Sequence, residues 1–240
     1  GGVVDITPLI EAANPGNELT SVQSSSPPVI VKNTVVVGST VGAKYRRSDA
    51  PSGAVRAFDA RTGKHLWSFD PLRPEGLDLQ HQEISQNNSL VGGANVWTLM
   101  SGDEAGDLIF LPTSSPSPNF FGGTRPGNNL FANSIVALRA STGELVWYFQ
   151  IVHHDVWDYD LPAQPIVTTI NQSGKLIPVV VQLTKQGLIF VLHRDTGKPF
   201  FPIEERTVPT NGVPGEILSP TQPFPVLPPP LVKQSIEPND

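Results

Sequence analysis

Two stretches of this chain repeat one phrase, AFDARTGKHLWSF at 57–69 and ALRASTGELVWYF at 137–149. They agree at Ala57 and Ala137, at Thr62-Gly63 and Thr142-Gly143, at Trp67 and Trp147, and at Phe69 and Phe149. A third, weaker copy, VLHRDTGKPFFPI at 191–203, places Phe201 in the Trp position. Each copy reads as strand, tight turn, strand. The Thr-Gly pair supplies the turn, with Gly free to take positive φ. The Trp at the far end is a packing wedge that buries on the order of 200 Å². A unit this small cannot close a core by itself, so it must stack on its neighbours. Repetition of that kind predicts an all-β radial architecture.

Composition agrees. With 240 residues, 38% of them hydrophobic, the chain can bury a sizeable core, and 21 Gly and 25 Pro spread along it favour many short strands over long helices. A formal net charge of −6 and a pI near 5.3 argue against nucleic acid or an anionic membrane as partner. There is no cysteine, which removes disulfides, thiolate metal sites and a thiol nucleophile. No apolar run approaches the roughly 20 residues of a membrane helix. The opening Gly1-Gly2-Val3-Val4 reads as part of something longer, and the chain is treated as a fragment.

Along the chain the expected organisation is a single domain over 1–240. Residues 1–28 form an irregular leading segment, 29–205 the repeated sheets, and 206–240 a Pro-rich extended tail unable to form an interior strand. Strands are expected at Val29–Val31, Thr34–Gly38, Ala54–Asp59 and His65–Phe69. Hairpins are expected over Val96–Met100 with Leu108–Leu111, and over Leu176–Leu183 with Leu188–Leu192 around Lys185-Gln186-Gly187. The loop at Phe120–Gly127, with Arg125, reads as surface.

Chemistry concentrates in VHHDVWDYDLPAQP at 152–165, which gathers His153, His154, Asp155, Asp158 and Asp160 beside Trp157 and Tyr159. Such residues can ligate a metal, take a proton or hold a backbone. Read as a strand, the stretch would send His153 and His154 to opposite faces, which disfavours a His-His-Asp metal site. Asp160, ahead of Leu161-Pro162, reads as a backbone hydrogen-bond acceptor.

The repeats and this stretch together resemble the PQQ-dependent (quinoprotein) dehydrogenases, in particular the membrane-bound glucose and quinate dehydrogenase branch. The matching residues are 51–71, GGANVW at 92–97, 121–165, TKQGLIFVLHRDTGKP at 184–199 and SPTQPFP at 219–225. The resemblance implies a quinoprotein-type β-propeller of roughly eight four-stranded antiparallel blades with Trp docking motifs, of which this chain supplies about half. It implies oxidation of a sugar or polyol hydroxyl by hydride transfer to pyrroloquinoline quinone, with a quinone or other electron acceptor and a periplasmic location.

Carried over position by position, the resemblance makes Asp158 the general base. It makes Lys185 the cation at the quinone oxygens, Trp97 the flat floor beneath the cofactor and Thr40 a further cofactor contact. Ser117 falls near a position that offers oxygen to a metal. The acidic residue that the family places after Thr40, a ligand of Ca²⁺ or Mg²⁺, is replaced here by Ala43 or Lys44, neither of which suits a hard cation. That departure keeps three rival expectations in view: a propeller scaffold that has lost the chemistry, a metal-dependent hydrolase built on His153, His154 and Asp155, and a truncated chain inactive alone.

Overall fold

The structure, a computed structural model, describes residues 2–15, 22–42, 50–73 and 92–235. Four sheets follow one another along the chain. The first contains β2 (Val29–Val31), β3 (Thr34–Val37), β5 (Val55–Asp59) and β6 (His65–Phe69), in that order across the sheet. A separate pair, β1 (Val22–Gln23) and β4 (Thr40–Val41), lies in the segments that flank it. The second sheet is a meander of β7 (Ser101–Asp103), β8 (Leu108–Pro112), β9 (Ser134–Arg139) and β10 (Leu145–Gln150). The third has β11 (Ile166–Gln172), β12 (Lys175–Leu183) and β13 (Ile189–His193), and the fourth pairs β14 (Ile203–Thr207) with β15 (Thr221–Pro225). Every ladder is antiparallel. The first strands β2, β7 and β11 are neighbours, with β7 between the other two, so the sheets are arranged side by side as blades of part of a propeller.

The two-residue side-chain period of a strand explains why the blades stack. In β8 the odd-numbered Ile109 and Leu111 join the core shared with the first blade, while Leu108 and Phe110 join the core shared with the third. In β9, Val136 and Leu138 face one way and Ile135 and Ala137 the other. Both faces of the second blade are covered, so its central strands are apolar without alternation.

The repeated phrase is the joint between blades. Trp67 Nε1 donates to Ala140 O at 2.9 Å, and a Cβ placed on Gly143 would come within 2.7 Å of the Trp67 ring. Trp147 Nε1 donates to Arg194 O at 2.8 Å, and a Cβ on Gly197 would come within 2.5 Å of the Trp147 ring. Each Trp therefore sits on the Thr-Gly turn of the next copy. The glycines take φ of 77° and 66° and leave room for the indole, so turn geometry and packing demand the same residue.

Several expectations are corrected. The leading segment is not irregular throughout: Thr7–Ala13 forms α1, opened by Pro8 in its first turn and with no buried residue. The hairpin expected from Val96 starts later, at Ser101, because Val96–Met100 is drawn into contacts with neighbouring loops. The stretch 152–165 is a loop between β10 and β11, not a strand, and His154 (φ 47°) and Asp158 (φ 59°) are left-handed in it. The third copy has no fourth strand; an isolated bridge, Leu192 to Pro199, marks its place. The tail is not merely extended, since Thr221–Pro225 pairs with β14. It tolerates two prolines because Val226 and Val208 hydrogen-bond across to the Pro202 and Pro220 carbonyls. That puts Pro223 and Pro225 in the alternate positions, with their missing N–H on the free edge.

Candidate active site at the loop ends of the blades

In an antiparallel blade, the loop after the second strand and the loop after the fourth leave from the same end. Thr40 follows β3, Ser117 and Asn119 follow β8, and Lys185 follows β12, each after the second strand of its sheet. Trp97 precedes β7 and Asp158 precedes β11, each between blades. Strand parity alone thus gathers these residues at one end, and the Thr-Gly turns at the other.

Hydrogen bonds join them. Lys185 Nζ donates to Asp158 Oδ2 at 3.2 Å and to Asp158 O at 2.5 Å. Both side chains are about one-third exposed, at 32% and 33%. Asp158 Oδ1 accepts from Asn119 Nδ2. Two residues on, Asp160 Oδ2 accepts the Trp97 indole N–H at 2.9 Å, and Oδ1 accepts the Ser115 backbone N–H at 2.6 Å. Asp160 is the acceptor expected, with a side-chain donor as well as a backbone one. Ser25 Oγ bonds Thr40 Oγ1 and donates to Trp97 O at 3.1 Å. Two hydrogen-bonded groups result, Thr40–Ser25–Trp97–Asp160 and Asn119–Asp158–Lys185, joined along the chain through Tyr159. Lys185, from the hairpin tip of the next sheet, is in direct contact with Asp158. Ser117 is wholly buried, between Ser115 and Asn119, both of which bond this loop. The Ala43 and Lys44 positions lie outside the described residues.

Beneath the pair the loop is held by buried polar groups. Asp155 accepts from Ser115 Oγ, from Asn133 Nδ2 at 3.1 Å, and from the backbone N–H of Trp157 at 3.0 Å and of Tyr159 at 2.8 Å. Burial pushes its carboxyl pKa up, against the pull of those hydrogen bonds and of the Arg125 charge. Arg125, expected at the surface, is 0% exposed. Its Nη2 donates to Asp155 O and, at 2.9 Å, to Pro118 O, and its Nη1 donates to Asn129 Oδ1 at 2.7 Å. It thereby ties the segment carrying Asn119 to the segment carrying Asp158. Burial lowers its pKa to about 10, partly offset by Asp155 and Glu216.

The histidines go separate ways. His153 bridges Gln150 Oε1 (2.7 Å) and Glu205 Oε1 (3.1 Å), while buried His154 bridges Gly127 O (2.7 Å) and Glu216 Oε1 (2.8 Å). Among the described residues no group of three or more His, Asp and Glu side chains converges as a metal cluster. Sequence reasoning passed over Asn119, whose Oδ1 is buried with no hydrogen-bond partner. Such an orphan acceptor marks a place where a bound donor or cation fits.

A cavity of about 1020 Å³ is lined by chain neighbours of the pair, while Asp158 and Lys185 themselves are not among its lining residues. Trp157 and Tyr159, which flank Asp158 in the chain, line it with rings stacked at 5.9 Å, and Gln186, next to Lys185, lines it as well.

The fold is part of a blade-stacked propeller with the candidate site residues at one end. Residues 1–240 match the PQQ family described as glucose/ethanol/alcohol dehydrogenase, β-propeller domain, and the chain belongs to that family. It is 39% identical over 228 residues to the glycerol dehydrogenase large subunit of Gluconobacter oxydans (strain 621H), covering 93% of this chain and 30% of that protein. It is 38% identical over 205 residues to the quinoprotein glucose dehydrogenase of Escherichia coli (strain K12), covering 84% of this chain and 25% of that protein. Its fold is similar to a europium-containing methanol dehydrogenase with a TM-score of 0.67 and 26% identity, over 88% of this chain and 38% of that one. The chain thus spans less than a third of the length of these two curated relatives. No helix among the described residues is long and apolar enough to cross a membrane.

Proposed function

We propose that this chain supplies the catalytic end of a dehydrogenase that oxidises a sugar or polyol hydroxyl with pyrroloquinoline quinone as hydride acceptor. The observation that carries the reading is the Asp158 carboxylate, partly exposed and fixed between Asn119 Nδ2 and Lys185 Nζ. The residues present suit a flat anionic quinone. Trp97 is half-buried, its N–H is taken by Asp160, and its ring is oriented by that bond. The Lys185 ammonium bonds Asp158 through two contacts and has three donors to give.

In this reading Asp158 takes the proton of the substrate hydroxyl, the proton transfer that a positioned carboxylate performs. Lys185 orients Asp158 and stabilises negative charge that develops beside it. Trp97 and Thr40 bound the cofactor site. Asn119 Oδ1 and the Ser117 hydroxyl are the oxygens that a divalent cation there would use. Trp157 and Tyr159 offer ring faces, and Gln186 an amide, to a polyhydroxylated substrate. Bound pyrroloquinoline quinone supplies the two-electron acceptor; its electrons pass to a quinone or other acceptor, in the periplasm.

The test is dye-linked oxidation of a sugar and polyol panel by the full-length protein loaded with pyrroloquinoline quinone. Asp158→Asn keeps the shape and removes the base, and is expected to lower turnover by roughly 10²- to 10⁴-fold with cofactor binding retained. Turnover unchanged in that variant would sink the assignment.

A further inference from the structure

A second cavity, of about 240 Å³, lies beneath α1 and shares no lining residue with the cavity at Trp157 and Tyr159. Ile6, Ile10, Val22 and Val37 give it apolar walls, and Ser39 and Arg56 give it polar ones. Arg56 is 3% exposed and Ser39 4%. Both carry a buried polar atom with no hydrogen-bond partner: Nε of Arg56 and Oγ of Ser39. Among the described residues the Arg56 guanidinium is otherwise bonded only to neutral carbonyls, with Nη1 to Ala54 O at 3.1 Å and Nη2 at a long 3.5 Å to Leu9 O. Asp70 is the carboxylate whose charge it feels, but Asp70 is committed to Ser52 Oγ at 2.5 Å, Arg73 Nε at 3.1 Å and the Leu72 N–H at 3.0 Å.

A guanidinium taken out of water with its Nε–H unanswered and its charge offset only by a carboxylate bonded elsewhere is costly. On the edge formed by Nε and Nη2, Nε has no partner and Nη2 only the long contact to Leu9 O, and the two parallel N–H directions match the two oxygens of a carboxylate. One positive charge suits a monoanion, and the apolar walls suit a short alkyl chain behind it. We infer that this cavity binds a short-chain monocarboxylate, gripped by the Nε–Nη2 edge of Arg56 and by Ser39 Oγ. Ser39 adjoins Thr40, so the pocket neighbours the proposed cofactor site, while its grip is made by Arg56 and Ser39 and not by Asp158, Lys185 or Trp97.

The experiment is calorimetric titration of the full chain with sodium acetate, with inorganic phosphate as the competing probe. Wild type is expected to bind acetate saturably at one site. Arg56→Met, which keeps the stem and removes the fork, is expected to weaken binding by about tenfold or more, the value of a charge-assisted bond. Arg56→Lys, which keeps the charge without the fork, is expected to weaken it similarly, and Ser39→Ala by a few-fold. The lysine and alanine variants carry the test if Arg56→Met does not fold. Absence of saturable acetate binding to wild type, acetate binding unchanged in the Arg56 variants, or phosphate binding as tightly as acetate would each overturn the assignment.

Discussion

Arg125 and Glu216 show how much of this site rests on single side chains remote from the chemistry. Arg125 satisfies the Pro118 and Asp155 carbonyls and the Asn129 amide oxygen from a position with no solvent. Replacing it with Met leaves those acceptors unanswered, at a cost of ~3 kcal/mol or more. A shift of that size in the urea midpoint checks it, and an unshifted midpoint contradicts it. Glu216 joins Gly122 N–H at 2.6 Å to His154. Burial opposes its ionisation, but the hydrogen bonds from His154 and Gly122 and the charges of His154 and Arg125 outweigh it and hold the carboxyl below its ordinary 4.5. A depressed carboxyl stabilises the fold above its unfolded pKa and loses that contribution as pH falls through the folded one. Glu216→Gln should therefore be less stable than wild type between about pH 5 and 7, with the gap closing in more acid solution. Thermal melts across that range test it; a gap that widens on acidification would have the wrong sign. Neither residue was legible in the sequence. A lone Arg in a Gly- and Pro-rich loop carries no periodicity to show that it is buried, and Asn119 lacks a motif of its own. Asp158 and Lys185 were legible through their flanking residues, WDYDLPAQP and TKQG.

At the scale of the element, the Trp on the following turn is the unit of assembly. Gly197→Ala puts a Cβ within 2.5 Å of the Trp147 ring at φ 66°, whereas Gly174→Ala, at φ 85°, meets nothing within 4 Å. Both pay the left-handed cost of about 1 kcal/mol, so the excess destabilisation of Gly197→Ala isolates the packing joint. Equal melting temperatures for the two variants would show that the joint contributes nothing. The strand–turn–strand copies were legible because turn and wedge both need particular residue types. α1 was not, since seven residues with no buried face leave little amphipathic signal. Nor was the loop at 152–165, whose left-handed His154 and Asp158 are fixed by long-range contacts to Gly127, Asn119 and Lys185.

For the whole molecule, the described chain is part of a ring with a covered middle and an open flank. Val213, Ile217, Leu231 and Val232 are 60%, 73%, 63% and 57% exposed on the segment around the last sheet. Apolar surface of that kind promotes association. The 240-residue chain alone is expected to self-associate in analytical ultracentrifugation, and Ile217→Glu to shift it toward monomer. A monomeric wild type would contradict this. Blade ends from three sheets are proposed to build one quinone site around Trp97, Asp158 and Lys185. It is tested most directly by calorimetric titration of the full-length protein with pyrroloquinoline quinone, in wild type, Trp97→Ala and Lys185→Met. One site is expected in wild type, weakened in both variants by about tenfold or more, as loss of a stacking face or of a charge-assisted bond requires. Binding as tight in both variants as in wild type would contradict it.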